Sequence, residues 1–229
     1  MALSTATLQD QISTLRDQVA GRVIEPSDAD YDKARTVMMG GIDRRPAAIV
    51  RVAGVDDVRA VIALVGETGV ELAIRSGGHS AKGDSTTDGG IVLDLHDMRS
   101  IDIDPVAKTA WAESGLTAAE VALAANEHGL AIGFGDTGSV GIGGITTGGG
   151  IGYLVRKHGL TIDNLLAADV VTADGELVRA DAEANPDLFW AIRGGGGNFG
   201  VVTRFQYRLV DLPEVVGGML FLPATAATI

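Results

Sequence analysis

The chain of 229 residues contains no cysteine. That removes disulfides, thiolate metal sites and a cysteine nucleophile together, and leaves the redox compartment unreadable from thiols. Basic residues are scarce: 18 Lys and Arg stand against 30 Asp and Glu, a formal net charge of −12. Binding a phosphate backbone needs clustered cations, so no nucleic-acid partner is expected. No apolar stretch approaches the roughly 20 residues that span a bilayer, so no membrane partner is expected either. The opening residues, Met1 to Ala6, lack the basic segment and apolar run of a secretory signal, and a cytoplasmic location is the expectation. What remains, 46% hydrophobic and 21% charged, is an ordinary globular balance with ample length for a core.

Periodicity divides the chain. Leu8, Ile12, Leu15 and Val19 have helical spacing, followed by a Pro- and Asp-containing loop near Glu25 to Asp32; residues 1–45 read as a helical leader and loop. Ala48 to Val52 reads as a strand. The spacing of Val55, Val58, Ile62 and Val65 gives a helix with Asp56 and Asp57 in its first turn, favourable at the positive end of the dipole. Gly69 is the stop signal, and strands follow at Val70 to Ile74 and Ile91 to Leu95. Thr117 and Glu120 form a capping box for a helix that stops at Gly129. Ala173-Asp174-Gly175 joins two strands as a hairpin, Pro186 opens a short helix, and Val201 to Leu209 alternates as a half-buried strand. The whole reads as α+β without internal repeats. The apolar run from Leu212 to Ile229 has no stop signal, so residues 213–229 are expected to begin a further, truncated domain.

Glycine carries the functional signal. Gly77-Gly78 sits directly before His79; Gly141 to Gly152 holds seven more glycines, Gly194 to Gly200 another five. Ordering so much glycine costs entropy, up to about 1 kcal/mol per residue against Ala in regular elements. Any one cluster fits a flexible loop. Three embedded between apolar runs fit a large ligand with a pyrophosphate, approached closely by backbone N–H groups. A P-loop would end in Gly-Lys-Ser/Thr, whereas Gly200 is followed by Val201 and Val202. A Rossmann fingerprint forced onto Gly141 and Gly143 lacks its strand and helix context, and Asp163, near the acidic position, lies in a turn.

Four motifs together resemble the FAD-linked oxidoreductases with a PCMH-type FAD-binding domain, most closely the berberine bridge enzyme-like branch. They are Arg75-Ser76-Gly77-Gly78-His79-Ser80, the Gly141–Gly152 run, Gly159 to Asn164, and Asp187 to Gly194 with the Gly-Gly-Gly-Asn-Phe-Gly-Val-Val that follows. The resemblance covers about residues 46–212. It implies an α+β FAD-binding domain of two subdomains, with a separate substrate domain missing or supplied in trans.

By that resemblance, Arg75, Ser76, Gly77, Gly78, His79 and Ser80 cradle the FAD pyrophosphate, and His79 is joined covalently to the flavin 8α-methyl. The alternative, a His79 that only hydrogen-bonds the cofactor, stays open. Members with a second covalent bond carry a cysteine where this chain has Thr137, so a doubly linked flavin is ruled out. Thr137, Ser139, Val140, Gly141, Gly143 and Gly144 are expected along the flavin, with Gly148 and Gly149 in the same run; Gly200, Val201 and Val202 are expected at the adenine side. Val140 holds the position whose bulk gates oxygen in this family, and valine matches the permissive state. The implied activity is hydride transfer from a C–H beside O or N of a small-molecule substrate to flavin, with O2 as acceptor. The competing reading is a non-catalytic FAD-binding module. Tyr153 reads equally well as core. His128 ends a helix, where a cation is favourable, His96 and His158 show no metal-ligand spacing, and Asp136 reads as a turn residue. No catalytic base is assigned.

Overall fold

The computed structural model describes residues 5–212, 214–219 and 221–225. Two β-sheets lie at its centre, one per subdomain. The first is built by α1 (Thr5–Gln18), β1 (Arg22–Ile24), α2 (Tyr31–Arg35), β2 (Ala48–Arg51), α3 (Val55–Thr68), β3 (Leu72–Arg75) and β4 (Ile91–Asp94). Its strand order is β1-β2-β4-β3; β2 and β3 both run parallel to β4, and β1 closes the edge antiparallel to β2. A parallel sheet covered on both faces is apolar in continuous runs, and every residue of β4 is buried accordingly. Ile12 and Leu15 of α1 and Val58 and Val61 of α3 cover one face, against Val50, Ile91 and Leu93. Tyr31 of α2 covers the other, against Ile49, Ala73 and Val92.

The expected leader is therefore part of this sheet. Val23 and Ile24 were hidden from periodicity because a three-residue strand shows no period. Asp57 also does more than face a helix dipole. It is 4% exposed and accepts N–H bonds from Ala20, Gly21 and Ala53 at 2.8, 2.9 and 2.8 Å, tying the N-terminal segment to α3.

The second subdomain contains β5 (Ile101–Asp104), β6 (Thr109–Glu113), α4 (Ala118–Asn126), β7 (Leu130–Ala131), α5 (Ile142–Gly148), α6 (Val155–His158), β8 (Leu165–Val171), β9 (Leu177–Asp181), α7 (Pro186–Ile192), β10 (Val201–Arg208) and β11 (Val210–Asp211). Five of its strands form an antiparallel sheet, β5-β6-β10-β8-β9, and β7 pairs with β11 apart from it. Phe205 and Tyr207 on the central β10 bury against α4, α5 and α7 through Val121, Ile142 and Ile192. The opposite face is polar: Arg204 stacks 4.5 Å over Trp111 and pairs with Asp169. Both halves of the expected capping box form, with Thr117 N–H donating to Glu120 at 2.8 Å. Gly69, Gly129 and Gly175 take positive φ where stops and a hairpin turn require it.

The glycine run after Gly141 is not all loop. Residues 142–148 form α5, because Ile142, Thr146 and Thr147 bury one side of the turn. Among the described residues no helix is long and apolar enough to cross a membrane. Of the expected further domain, Pro213, Leu220 and residues 226–229 lie outside the described residues, and residues 214–219 and 221–225 form no helix or strand.

Candidate cofactor site

The two subdomains meet loop against loop. The chain leaving β3 at the carboxyl end of the parallel sheet, where α/β folds place their ligands, packs on the segment entering α5. Ser76 joins them: its hydroxyl donates to the Ser114 carbonyl at 2.6 Å and accepts from the Gly143 N–H at 3.2 Å. Beside this junction opens a cleft of about 880 Å3, within the range of roughly 300–1,000 Å3 usual for cofactor sites.

Twelve of the expected residues line it: Ser76, Gly77, Gly78, His79, Ser80, Val140, Gly141, Gly143, Gly144, Gly148, Gly200 and Val202. The glycines serve two purposes. Gly77 and Gly141 are small because their loops touch. At Gly144, Gly148, Gly194 and Gly196, a Cβ would meet nothing within 4 Å, so their bare backbone leaves room along the cleft. Gly78 takes φ +68, and its carbonyl accepts from Met38 N–H at 3.1 Å. Among the described residues, no group accepts a hydrogen bond from the N–H of Gly78, His79 or Ser80. Successive unpaired N–H groups in such a turn form an anion-binding concavity. The Ser85 hydroxyl, buried at the cleft wall, also lacks a partner. An open glycine wall, free donors and this volume fit a dinucleotide cofactor.

His79 stands in the cleft lining with Nε2 3.3 Å from Ser139 Oγ. Nδ1 has no partner among the described residues, which leaves one ring nitrogen free. The Ser80 hydroxyl donates to Asp84 Oδ2 at 3.2 Å and accepts from the Asp84 N–H, pinning the turn after His79.

Five expected residues stand outside the cleft lining. Arg75 is 5% exposed and pairs with the equally buried Asp94 at 2.8 Å, so its guanidinium does not cradle a ligand in the cleft. Val201 is 1% exposed within the core of the first sheet. Thr137 is exposed on a turn, its hydroxyl donating to Asp136. Ser139 reaches the site only through His79. Gly149 caps the end of α5 at φ +122.

Sequence reasoning passed over Lys82 and Asp84, which sit in a loop without a pattern, and Leu72, Ile74 and Phe205, whose apolar character signals only core. Asn198 and Gly194 to Gly197 also line the cleft. Their signal was present, since they belong to the third glycine cluster. Gly194 N–H bonds to the Thr147 carbonyl at 2.9 Å, which draws that cluster onto α5. Among the described residues there is no metal-binding cluster of His, Asp or Glu.

Comparison with known proteins gives a match to the family described as FAD binding domain over residues 46–181, more than half of the chain. The chain is similar to (R)-6-hydroxynicotine oxidase of Paenarthrobacter nicotinovorans, with 40% identity over 196 residues, 86% of this chain and 43% of that protein. It is similar to berberine bridge enzyme-like 6 of Arabidopsis thaliana, with 38% identity over 74% of this chain and 31% of that protein. The structure of glucooligosaccharide oxidase from Acremonium strictum superposes with a TM-score of 0.82 and 30% identity, over 89% of this chain and 42% of that one. The chain spans less than half the length of each of these proteins.

Proposed function

Because this chain belongs to the FAD-linked oxidoreductases that share this FAD-binding domain, berberine bridge enzyme-like proteins among them, we propose that it is the flavin-holding part of an oxidase with FAD tethered through His79. Its cofactor is FAD. The carrying observation is the cleft itself, with open glycine backbone along one wall, free N–H donors at Gly78 to Ser80, and His79 among them.

Bound FAD would supply a hydride acceptor for a C–H beside O or N of a small molecule, with O2 as the terminal oxidant. The chain's residues supply position and tether. The Gly78–Ser80 N–H groups hold the diphosphate, and Gly144 and Gly148 admit the cofactor closely. Ser139 holds the His79 ring through Nε2, which would leave Nδ1 free to bond the flavin 8α-carbon; the 8α C–H would lose its proton, its electron pair would pass to the flavin, and O2 would then remove that pair. The glucooligosaccharide oxidase is described as carrying a 6-S-cysteinyl, 8α-N1-histidyl FAD, which supports a histidyl tether here. Without cysteine, this chain makes at most that one link. Val140 lines the cleft, and by the family resemblance a valine at that position supports O2 as acceptor. The proposed location is the cytoplasm.

The length relationship favours a second reading, in which the chain is a flavin-binding module that turns over only when a substrate domain joins it in trans. In that reading the group that takes the substrate proton comes from the domain in trans.

Denaturing electrophoresis of the FAD-loaded chain tests the tether. A fluorescent flavin band that His79→Ala abolishes is expected, and a band without fluorescence overturns it. Turnover of alcohols, sugars or amines by the purified chain would refute the module reading; a bound flavin without turnover supports it.

A further inference from the structure

A second cavity of about 500 Å3 shares only Ser76, Gly77 and Gly78 with the cofactor cleft. Four of its lining side chains are cationic: Lys33, Arg51, Arg75 and Arg99. Its two carboxylates are already engaged, Asp30 by Arg22 at 2.6 Å and Asp94 by Arg75 at 2.8 Å. The cations are less well served. Arg75 Nη1 and Arg51 Nε are buried without an acceptor, and the exposed Lys33 ammonium at the cavity mouth has no partner among the described residues. Arg51 holds Asp97 and Arg99 holds Glu120, each through Nη2 alone, so the Lys33 ammonium and the remaining guanidinium nitrogens of Arg51 and Arg99 are left to receive a guest.

Buried donors of charged groups are normally satisfied. A cavity whose carboxylates are neutralised and whose guanidinium and ammonium donors are not therefore selects an anion. It does so within a chain of net charge −12, where the local sign is reversed. Arginine's planar fork matches carboxylate and phosphate, while a lysine ammonium serves as a mobile point charge on phosphate. We propose that this cavity is an oxyanion site separate from the FAD cleft, taking a phosphate group, free or as the head of a small phosphomonoester. The Gly77-Gly78 turn forms a wall of both sites, so a guest here would press on the backbone that presents the FAD-facing donors.

The test is calorimetric titration of the FAD-loaded chain with inorganic phosphate, and separately with glycerol 3-phosphate, in chloride buffer at fixed ionic strength. Saturable binding is expected, weakened about tenfold, near 1.4 kcal/mol, by Lys33→Ala and by Arg51→Gln while bound-flavin absorbance stays unchanged. Tighter binding of the ester identifies a phosphomonoester as the natural guest, and equal binding identifies free phosphate. Arg75 is left unaltered because its buried pair with Asp94 also supports the fold. No binding by the FAD-loaded chain, or equal affinity in both variants and the parent, overturns the proposal. Phosphate binding only to flavin-free protein overturns it too, since the cavity would then be part of the dinucleotide's own seat.

Discussion

Gly77 and Gly141 lie back to back: a Cβ on Gly77 would stand 2.2 Å from the Gly141 nitrogen, and one on Gly141 2.1 Å from the Gly77 nitrogen. Backbone cannot yield as a flexible side chain can, so Ala at either position drives the two subdomains apart. Overpacking of this kind costs about 1–3 kcal/mol. We expect Gly77→Ala and Gly141→Ala each to lower the melting temperature and to weaken FAD retention. Gly144→Ala, with nothing within 4 Å of its Cβ, should keep the melting temperature and weaken FAD alone. Thermal unfolding beside flavin fluorescence titration separates the cases; equal melting in all three variants would refute the close-contact account.

Asp57 joins the first turn of α3 to two other segments through three N–H bonds. Hydrogen bonds to a charged group contribute about 1.5–3 kcal/mol each, less where water replaces them. Asp57→Ala is expected to destabilise the chain by about 3 kcal/mol in urea unfolding. A loss below about 1 kcal/mol would show that water takes over the three donors.

Oxygen access is testable at Val140. In the FAD-loaded chain, chemically reduced flavin should reoxidise rapidly in air. Val140→Leu should slow that reaction about tenfold, equivalent to roughly 1.4 kcal/mol on the barrier. Negligible reoxidation of the parent, followed by stopped-flow absorbance, would identify a dehydrogenase instead.

Acid should destabilise the chain through its paired carboxylates. The Ala184 N–H, then the Arg179 guanidinium, then the Glu183 N–H hold Asp181 down from an ordinary 3.8 to about 2. Asp28, Asp43 and Asp174 are lowered as well, by a backbone bond from Glu25, by Arg35 and by the Thr172 hydroxyl respectively. The unfolded chain binds more protons than the folded one in this window, so stability is full above about pH 4 and falls towards about pH 2. Asp181→Asn should make that fall in melting temperature shallower. An unchanged slope would mean that Asp181 contributes nothing to acid sensitivity.

Much of the first sheet was legible because most of its elements obey a local rule, the three-residue β1 being too short to show one. Val55, Val58, Ile62 and Val65 repeat at helical spacing, and Gly69 ends the helix in the left-handed conformation any other residue resists. The β8–β9 hairpin announced itself through Asp174-Gly175. The β5–β6 hairpin did not: Ile101-Asp102-Ile103-Asp104 alternates, but its turn holds Lys108 at φ +53 rather than a glycine. Arg75 shows the limit at the site. Its place at the head of the glycine motif suggested a ligand contact, and its partner Asp94 lies 19 positions away on the neighbouring strand.

Sequence alone determined the glycine-for-backbone chemistry, the histidine beside it and the exclusion of any thiol link, because these follow from which atoms each residue possesses. The tertiary structure decided which glycines face a ligand and which face each other, since that depends on how two distant loops meet. It also assigned Arg75 to a buried pair and exposed the cationic cavity behind the turn. Charges brought together from residues 33, 51, 75 and 99 have no signature in spacing, because strand pairing and loop packing, rather than chain order, set their distances.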